Sequence, residues 1–281
     1  MNPTRYNLSD AELLILASHA TNHKTCKDDG RIAFLFITRG YMPLELLWRR
    51  YFEGNSELYS IYIHAPPGLK FPNSSLFYGK EIPSKVVRKL SMDLVDTLRT
   101  LTAHALLDNT ACNLWFVLAC ESTIPIRSLS FTHAYLTNSK LSFVDSFHPT
   151  QEWLLDGWKM EPEISRQKLR KGELWMAFQR KHAVMIVDEK YFYKKFMNDC
   201  KGPCFPDEQY IQTSLSIYDP QGIANRTVMS VNWTYPHSSS PYTYFSGVIT
   251  PTLIQNLQNL TVDLMGMHQD VVGGSGVQSS T

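Results

Sequence analysis

No stretch of the chain is apolar for the roughly 20 residues that a membrane-spanning helix needs, and runs such as Ile32 to Ile37 are far shorter. The first residues also lack an apolar segment followed by small residues, so no signal peptide is legible. Taken literally, the chain reads as soluble and cytosolic. Its net charge is only +1, which excludes a global basic surface for nucleic acid or an anionic membrane. Local runs such as Arg166 to Lys171 read first as solvated surface. The motifs G-x-G-x-x-G, P-loop, H-E-x-x-H and G-x-S-x-G do not occur. Nor does Asp-x-Asp, the pair of close carboxylates that commonly holds a divalent metal on a diphosphate. Cysteine is scarce, and the five present never form C-x-x-C, which weakens any zinc reading. Cations run out as well: neither Lys nor Arg occurs from Thr227 to Thr281.

Of what is present, two features point away from the cytosol. Cys200 and Cys204 bracket Lys-Gly-Pro, either a small disulfide loop or two free thiols. We expect them to lie within bridging distance, and Cys26, in the polar leader, to stay unpaired, although Cys112 and Cys120 offer other partners. N-x-S/T sequons begin at Asn7, Asn73, Asn225, Asn232 and Asn259, mild support for a secretory lumen.

The apolar pattern alternates between strand and helix. Ser9 with Glu12 fits a capping box ahead of Leu13 to Ala17, so a short helix starts there. Arg31 to Thr38 reads as a strand buried on both faces. Leu44 to Phe52 is helical in period, with Pro43 at its start, and Leu58 to His64 is a second strand rich in β-formers. Strand, helix, strand in this compass is a βαβ unit with parallel strands. Further candidates are a helix over 92–107, a strand over 114–119, a helix over 128–136, a short strand over 142–145, helices over 180–189 and 207–218, and a strand over 228–233. The expectation is an α/β domain on a mainly parallel sheet, with 32–38, 58–64 and 114–119 as interior strands. Ligands of such sheets sit at the carboxyl ends of the strands. From Gly273 the Gly/Ser-rich composition cannot bury a core and predicts disorder.

The sharpest local feature is Cys204-Phe-Pro-Asp-Glu-Gln-Tyr-Ile-Gln-Thr213. Pro206, Asp207 and Glu208 make a good helix start. Taken alone, the two acids are favoured there by the positive helix end. The functional reading makes Glu208 a general base projecting into a cleft.

Several stretches together favour the functional reading. They are Ile32 to Gly40, Leu58 to His64, Phe77 to Ser84, Glu121 to Pro125, Ser142 to Phe147, Arg170 to Trp175, Pro203 to Glu208 and Asn225 to Trp233. In this order they resemble plant members of the core-2/I-branching N-acetylglucosaminyltransferase family, over residues 31 to about 250. The resemblance implies a GT-A-like, Rossmann-type α/β fold and an inverting glycosyltransferase. It implies a nucleotide-sugar donor, a glycan or glycoprotein acceptor, and neither a metal nor another cofactor. Glu208 matches the family's base. The uridine side maps to Ile63 and His64 and to the loop at Glu121, Ser122 and Thr123. Trp175 and Asp207 fall on the acceptor side. His64 and Trp175 also have bland readings, as a structural histidine and a core aromatic. Asn232 stands where relatives often carry Asp before Trp233.

Two departures shape the expectation. The family's signal-anchor, which holds type II enzymes in the Golgi membrane, has no counterpart here. The basic residues that clamp the diphosphate in relatives would fall after Arg226, where this chain has none. We therefore expect a leader or stem remnant at 1–30, a C-terminally incomplete transferase domain at 31–250 and a divergent, partly disordered tail at 251–281. As written, the chain is expected to be a poor transferase unless Arg39, Arg226 or Lys171 reaches the pocket. The alternatives are a relative that binds nucleotide or glycan without turnover, and a scaffold with no nucleotide pocket.

Overall fold

The structure, a computed structural model, describes residues 8–20, 30–125, 127–150, 159–202 and 204–229. Its elements, in chain order, are α1 (Asp10–Ser18), β1 (Arg31–Ile37), α2 (Glu45–Phe52), β2 (Tyr59–His64), α3 (Met92–Leu106), β3 (Asn113–Cys120), α4 (Leu129–Thr137), β4 (Ala177–Gln179), α5 (Arg180–Asp188), α6 (Tyr191–Asp199) and α7 (Pro206–Tyr218). The sheet order is β2-β1-β3-β4. β1 pairs parallel to both β2 and β3, and β4 pairs antiparallel to β3. This is the mainly parallel α/β architecture of a GT-A-like fold.

Period-two alternation along the strands builds two cores. Ala33, Leu35 and Ile37 of β1, with Phe116 and Leu118 of β3, face a layer containing α1, α3, α5, α6 and α7. Ile32, Phe34 and Phe36, with Trp115 and Val117, face the opposite layer, where Trp48 and Phe52 of α2 and Leu129 and Leu136 of α4 pack. On that side Phe34 meets Trp48, Tyr51 and Phe52 edge-on, at ring-centroid separations of 5.1–5.9 Å. Burial on both faces explains why β1 reads as a continuous apolar run.

α1 starts with the expected box: the Glu12 N–H donates to Ser9 Oγ, and the Ser9 N–H donates to Glu12 Oε2 at 2.8 Å. Its Leu13 and Ala17 are buried in the first core, and Arg180 donates to the carbonyl of Ala20 just beyond it.

Four details differ from the sequence reading. β2 lies at the end of the strand order rather than inside it, with a single bridge from Ile63 to Glu81 on its outer side. Residues 142–145 form no named strand. Ser142 and Phe143 make isolated bridges to Ile223 and Ala177. β4 and α6 were not anticipated. The α5–α6 corner is fixed by buried Arg99, which donates to the carbonyls of Ile186, Val187 and Glu189. The Glu189 carboxylate there accepts from the Phe192 and Tyr193 N–H groups and the Tyr210 hydroxyl. Most of the expected strand over 228–233, the tail from Gly273 and Cys26 lie outside the described residues. Among the described residues, no helix is long and apolar enough to cross a membrane.

Candidate functional site

The crossover after β1 leads to one side of the sheet and the one after β2 to the other, because β1 lies between β2 and β3. Past the carboxyl ends of β1 and β3, where Ile37 and Cys120 are in register, both exits turn towards the layer of α2 and α4. Open α/β sheets bind ligands outside the carboxyl ends of their strands. Three of the sequence-predicted groups border this end of the sheet.

β1's exit stitches two of them together. The Thr38 N–H donates to the His64 carbonyl at 3.0 Å, and Arg39 Nε donates to Glu121 Oε1 at 2.5 Å. Arg39 is exposed, whereas Glu121 is largely covered. Ser122 and Thr123 close a tight turn after β3. Thr123 Oγ1 accepts from the Cys120 N–H, Ser122 Oγ lies 3.1 Å from Cys120 Sγ, and Trp48 Nε1 from α2 donates to the Thr123 carbonyl. Cys120 is a free thiol.

Ile63 and His64 are engaged structurally. The Ile63 side chain is fully buried, its N–H donates to Lys80 O, and its carbonyl accepts from the Ile82 N–H. His64 is buried, and its Nε2 accepts from the Lys85 N–H at 3.2 Å. Burial pushes its imidazole below the ordinary histidine pKa, so the ring is held neutral. At this end of the sheet these residues present the end of β2 rather than a free imidazole.

The third group is built around α7. Pro206 at its first turn has the right fixed φ and no N–H to satisfy. The chain reaches it through a loop closed by a Cys200–Cys204 disulfide with a Cα–Cα distance of 5.4 Å, inside the bridging range expected. Gly202 in that loop has φ +79°, a conformation that favours glycine. Cys112 is also disulfide-bonded.

Glu208 lies in the first turn of α7 with its side chain about a quarter exposed, and its Oε2 forms an ion pair with Lys171 Nζ. Lys171 is held from two sides. It exchanges both backbone hydrogen bonds with Phe147, at 2.8 and 2.9 Å, and the adjacent Gly172 N–H donates to the Glu208 carbonyl at 2.9 Å. Arg170 and Thr213 add two more bonds to the same seam. Phe143 pairs antiparallel with Ala177 of β4, so residues 143–147 run parallel to β3, towards the carboxyl end of the sheet. That direction carries Lys171, and Glu208 with it, to the end of the sheet where β1 and β3 finish.

Asp207 is buried, and its Oδ1 has no hydrogen-bond partner. Burial, reinforced by the charge of Glu208, pushes its carboxyl up to about 6. Trp175 is partly buried against the first core, and its carbonyl accepts from the Thr227 hydroxyl at 2.8 Å. Arg226 lies over the Phe143 ring and donates to the Tyr135 hydroxyl. Of the three cations named from sequence, the fold thus brings Lys171 to Glu208 and Arg39 to the β3 loop, and spends Arg226 on an aromatic cluster. From sequence Lys171 was named only as a cation that could reach the pocket, not as the partner of Glu208; its place in the matching stretch Arg170 to Trp175 was the available signal. A hollow between α5 and α7, lined by residues including Ile186, Glu189, Tyr210 and Leu215, contains none of the predicted site residues.

A family model described as Core-2/I-Branching enzyme matches residues 32–258. The chain is also 29% identical, over 268 residues, to Glycosyltransferase BC10 of Oryza sativa subsp. japonica. That alignment covers 83% of this chain and 66% of the relative, so the chain spans just under two thirds of that protein's length. The family match takes in the elements from β1 to α7, and with them the carboxyl end of the sheet and Glu208: the chain belongs to the core-2/I-branching enzyme family.

Proposed function

We propose that this protein is an inverting, metal-independent glycosyltransferase that moves a GlcNAc-like sugar from a nucleotide-sugar donor to a glycan or glycoprotein acceptor. The observation that carries the reading is Glu208: a part-exposed carboxylate, at the carboxyl end of the sheet, fixed by Lys171. In the proposed reaction Glu208 takes the acceptor hydroxyl's proton. The acceptor oxygen bonds to the anomeric carbon as the carbon–oxygen bond to the diphosphate breaks, its electron pair leaving with the diphosphate. Attack from the far side inverts the centre.

The donor lies past the carboxyl ends of the strands, against the end of β2 at Ile63 and His64 and the turn at Glu121, Ser122 and Thr123. Trp175 and Asp207 line the acceptor side. Lys171 is a positioning residue, and Arg39, paired with Glu121, is a cation on the donor side. The family's type II Golgi placement belongs to the same proposal.

The test incubates the chain with UDP-GlcNAc and candidate glycan acceptors in the presence of a chelator, and reads the product's anomeric configuration by NMR. Transfer with inversion is expected. Retention of configuration, or turnover that needs added metal, overturns the corresponding part. A second reading is binding without turnover: cations must meet the leaving diphosphate when no metal does, and the two basic side chains brought to this end of the sheet are already paired, Lys171 with Glu208 and Arg39 with Glu121. Calorimetric UDP binding without donor hydrolysis selects it.

A further inference from the structure

We propose that Asn73 and Asn225 are N-glycosylation sites, each bearing an N-linked glycan. Two independent observations meet here. The first is redox: Cys200 and Cys204 are bridged and Cys112 is also disulfide-bonded. Structural disulfides form in oxidising compartments, and N-x-S/T sequons are glycosylated in the secretory lumen. The second is local geometry, which separates these two asparagines from an ordinary one.

Asn73 is exposed in a turn closed by the Ser75 N–H donating to Pro72 O at 2.8 Å. The rest of its sequon is anchored. Arg49 donates to the Ser74 carbonyl, and the Ser75 hydroxyl donates to Glu45 Oε2. Asn225 is exposed with φ +50°, in the left-handed region where asparagine is among the few tolerated residues. Its Thr227 hydroxyl is tied to Trp175 O. Neither side-chain amide is tied into a hydrogen bond with another described residue, so a glycan there displaces no contact of the fold. Asn113 is the contrast. It is buried, its Nδ2 donates to the Tyr62 hydroxyl and the Ala105 carbonyl, and it stands in no sequon.

The modification is a glycosyl transfer from a lipid-diphosphate oligosaccharide supplied by that compartment. The amide nitrogen bonds to the anomeric carbon and loses a proton, and the lipid diphosphate leaves with the electron pair of the broken bond. The proposal is independent of what Glu208 does.

The chain is produced through a eukaryotic secretory pathway, and its bridged cysteines, read by thiol labelling, verify that it passed the oxidising lumen. Peptide mass spectrometry is expected to find glycan at Asn73 and at Asn225, and peptide-N-glycosidase to raise the gel mobility. Asn73→Asp and Asn225→Asp should each remove one mobility step. Aspartate tolerates the left-handed conformation and is the residue that enzymatic deglycosylation leaves, so loss of a step is not a folding artefact. An unmodified asparagine at either position in the bridged chain overturns that site. Occupancy confined to Asn7, Asn232 or Asn259 overturns both.

Discussion

Glu208 and its neighbour Asp207 are consecutive carboxylates with opposite surroundings. One is part-exposed and paired to Lys171; the other is buried with an oxygen that nothing meets. Glu208→Gln keeps the shape but cannot take a proton. In turnover assays kcat should fall by about 10²–10⁴-fold, with UDP affinity nearly unchanged. Lys171→Met leaves the carboxylate untethered and should cost about tenfold in kcat, and Lys171→Arg should recover part of it. Equal loss in Met and Arg variants would sink the positioning role. For Asp207 the sign runs the other way. Its folded-state pKa, about 6, lies above the unfolded value near 3.8, so the buried charge opposes folding at neutral pH. Asp207→Asn should therefore raise stability at pH 7 by about 1–3 kcal/mol, read as a higher urea midpoint with an unchanged slope. The helix start at Pro206 was legible from Pro-Asp-Glu ahead of an apolar period, whereas the choice of Glu208 as the base rested on the family resemblance. The pairing of Glu208 with Lys171, 37 residues away, was not legible, because it depends on how the seam with Phe147 aligns in three dimensions. His64 shows the converse. A histidine at a strand end invites a functional reading, and only the Lys85 contact shows what its ring nitrogen does.

At the scale of elements, the positioning of the site depends on one close approach. A Cβ on Gly172 would sit 2.0 Å from the backbone oxygen of Asp145, which cannot rotate away as a side-chain tip would. Gly172→Ala should therefore push the 170–173 segment off residues 145–147, costing about 1–3 kcal/mol in a denaturant titration. Because Lys171 is adjacent, kcat should fall with it; a variant with unchanged stability would show that the seam is slack. The strands that announced themselves, β1, β2 and β3, did so through apolar runs buried on two faces. β4 is three residues long and pairs antiparallel, too short to show a period. α6 was hidden for another reason. Its own residues, Tyr191 to Asp199, mix aromatic and charged side chains, and its corner with α5 rests on Arg99, far away in sequence. The edge position of β2 was likewise invisible, since a strand covered on both faces reads the same at the end of a sheet as in its middle.

Across the whole molecule, the two cores leave a few titratable groups enclosed, and these set its response to acid. His64 and His182 are both buried, and burial pushes both imidazoles below the ordinary histidine pKa. His182 is wedged between Ser142 Oγ at 2.6 Å and Asp219 Oδ2 at 3.1 Å, with Lys181 also bonded to Asp219. Once unfolded, each histidine titrates near 6.5. Below that pH the unfolded chain binds protons that the folded chain refuses, so stability falls, by up to about 1.4 kcal/mol per pH unit for each histidine. Asp207 acts in the opposite direction. Between about 6 and 3.8 its folded form holds a proton that the unfolded form releases, so it adds stability as the pH falls. Loss on acidification should therefore begin just below neutrality and be partly offset below pH 6. In Asp207→Asn that offset is gone, and the decline below pH 6 should be steeper. In His182→Gln the decline between pH 7 and 6 should be shallower. Urea midpoints taken across pH 5–7.5 for the three proteins decide it. Parallel curves would mean that these buried groups do not control the acid response and that surface carboxylates do.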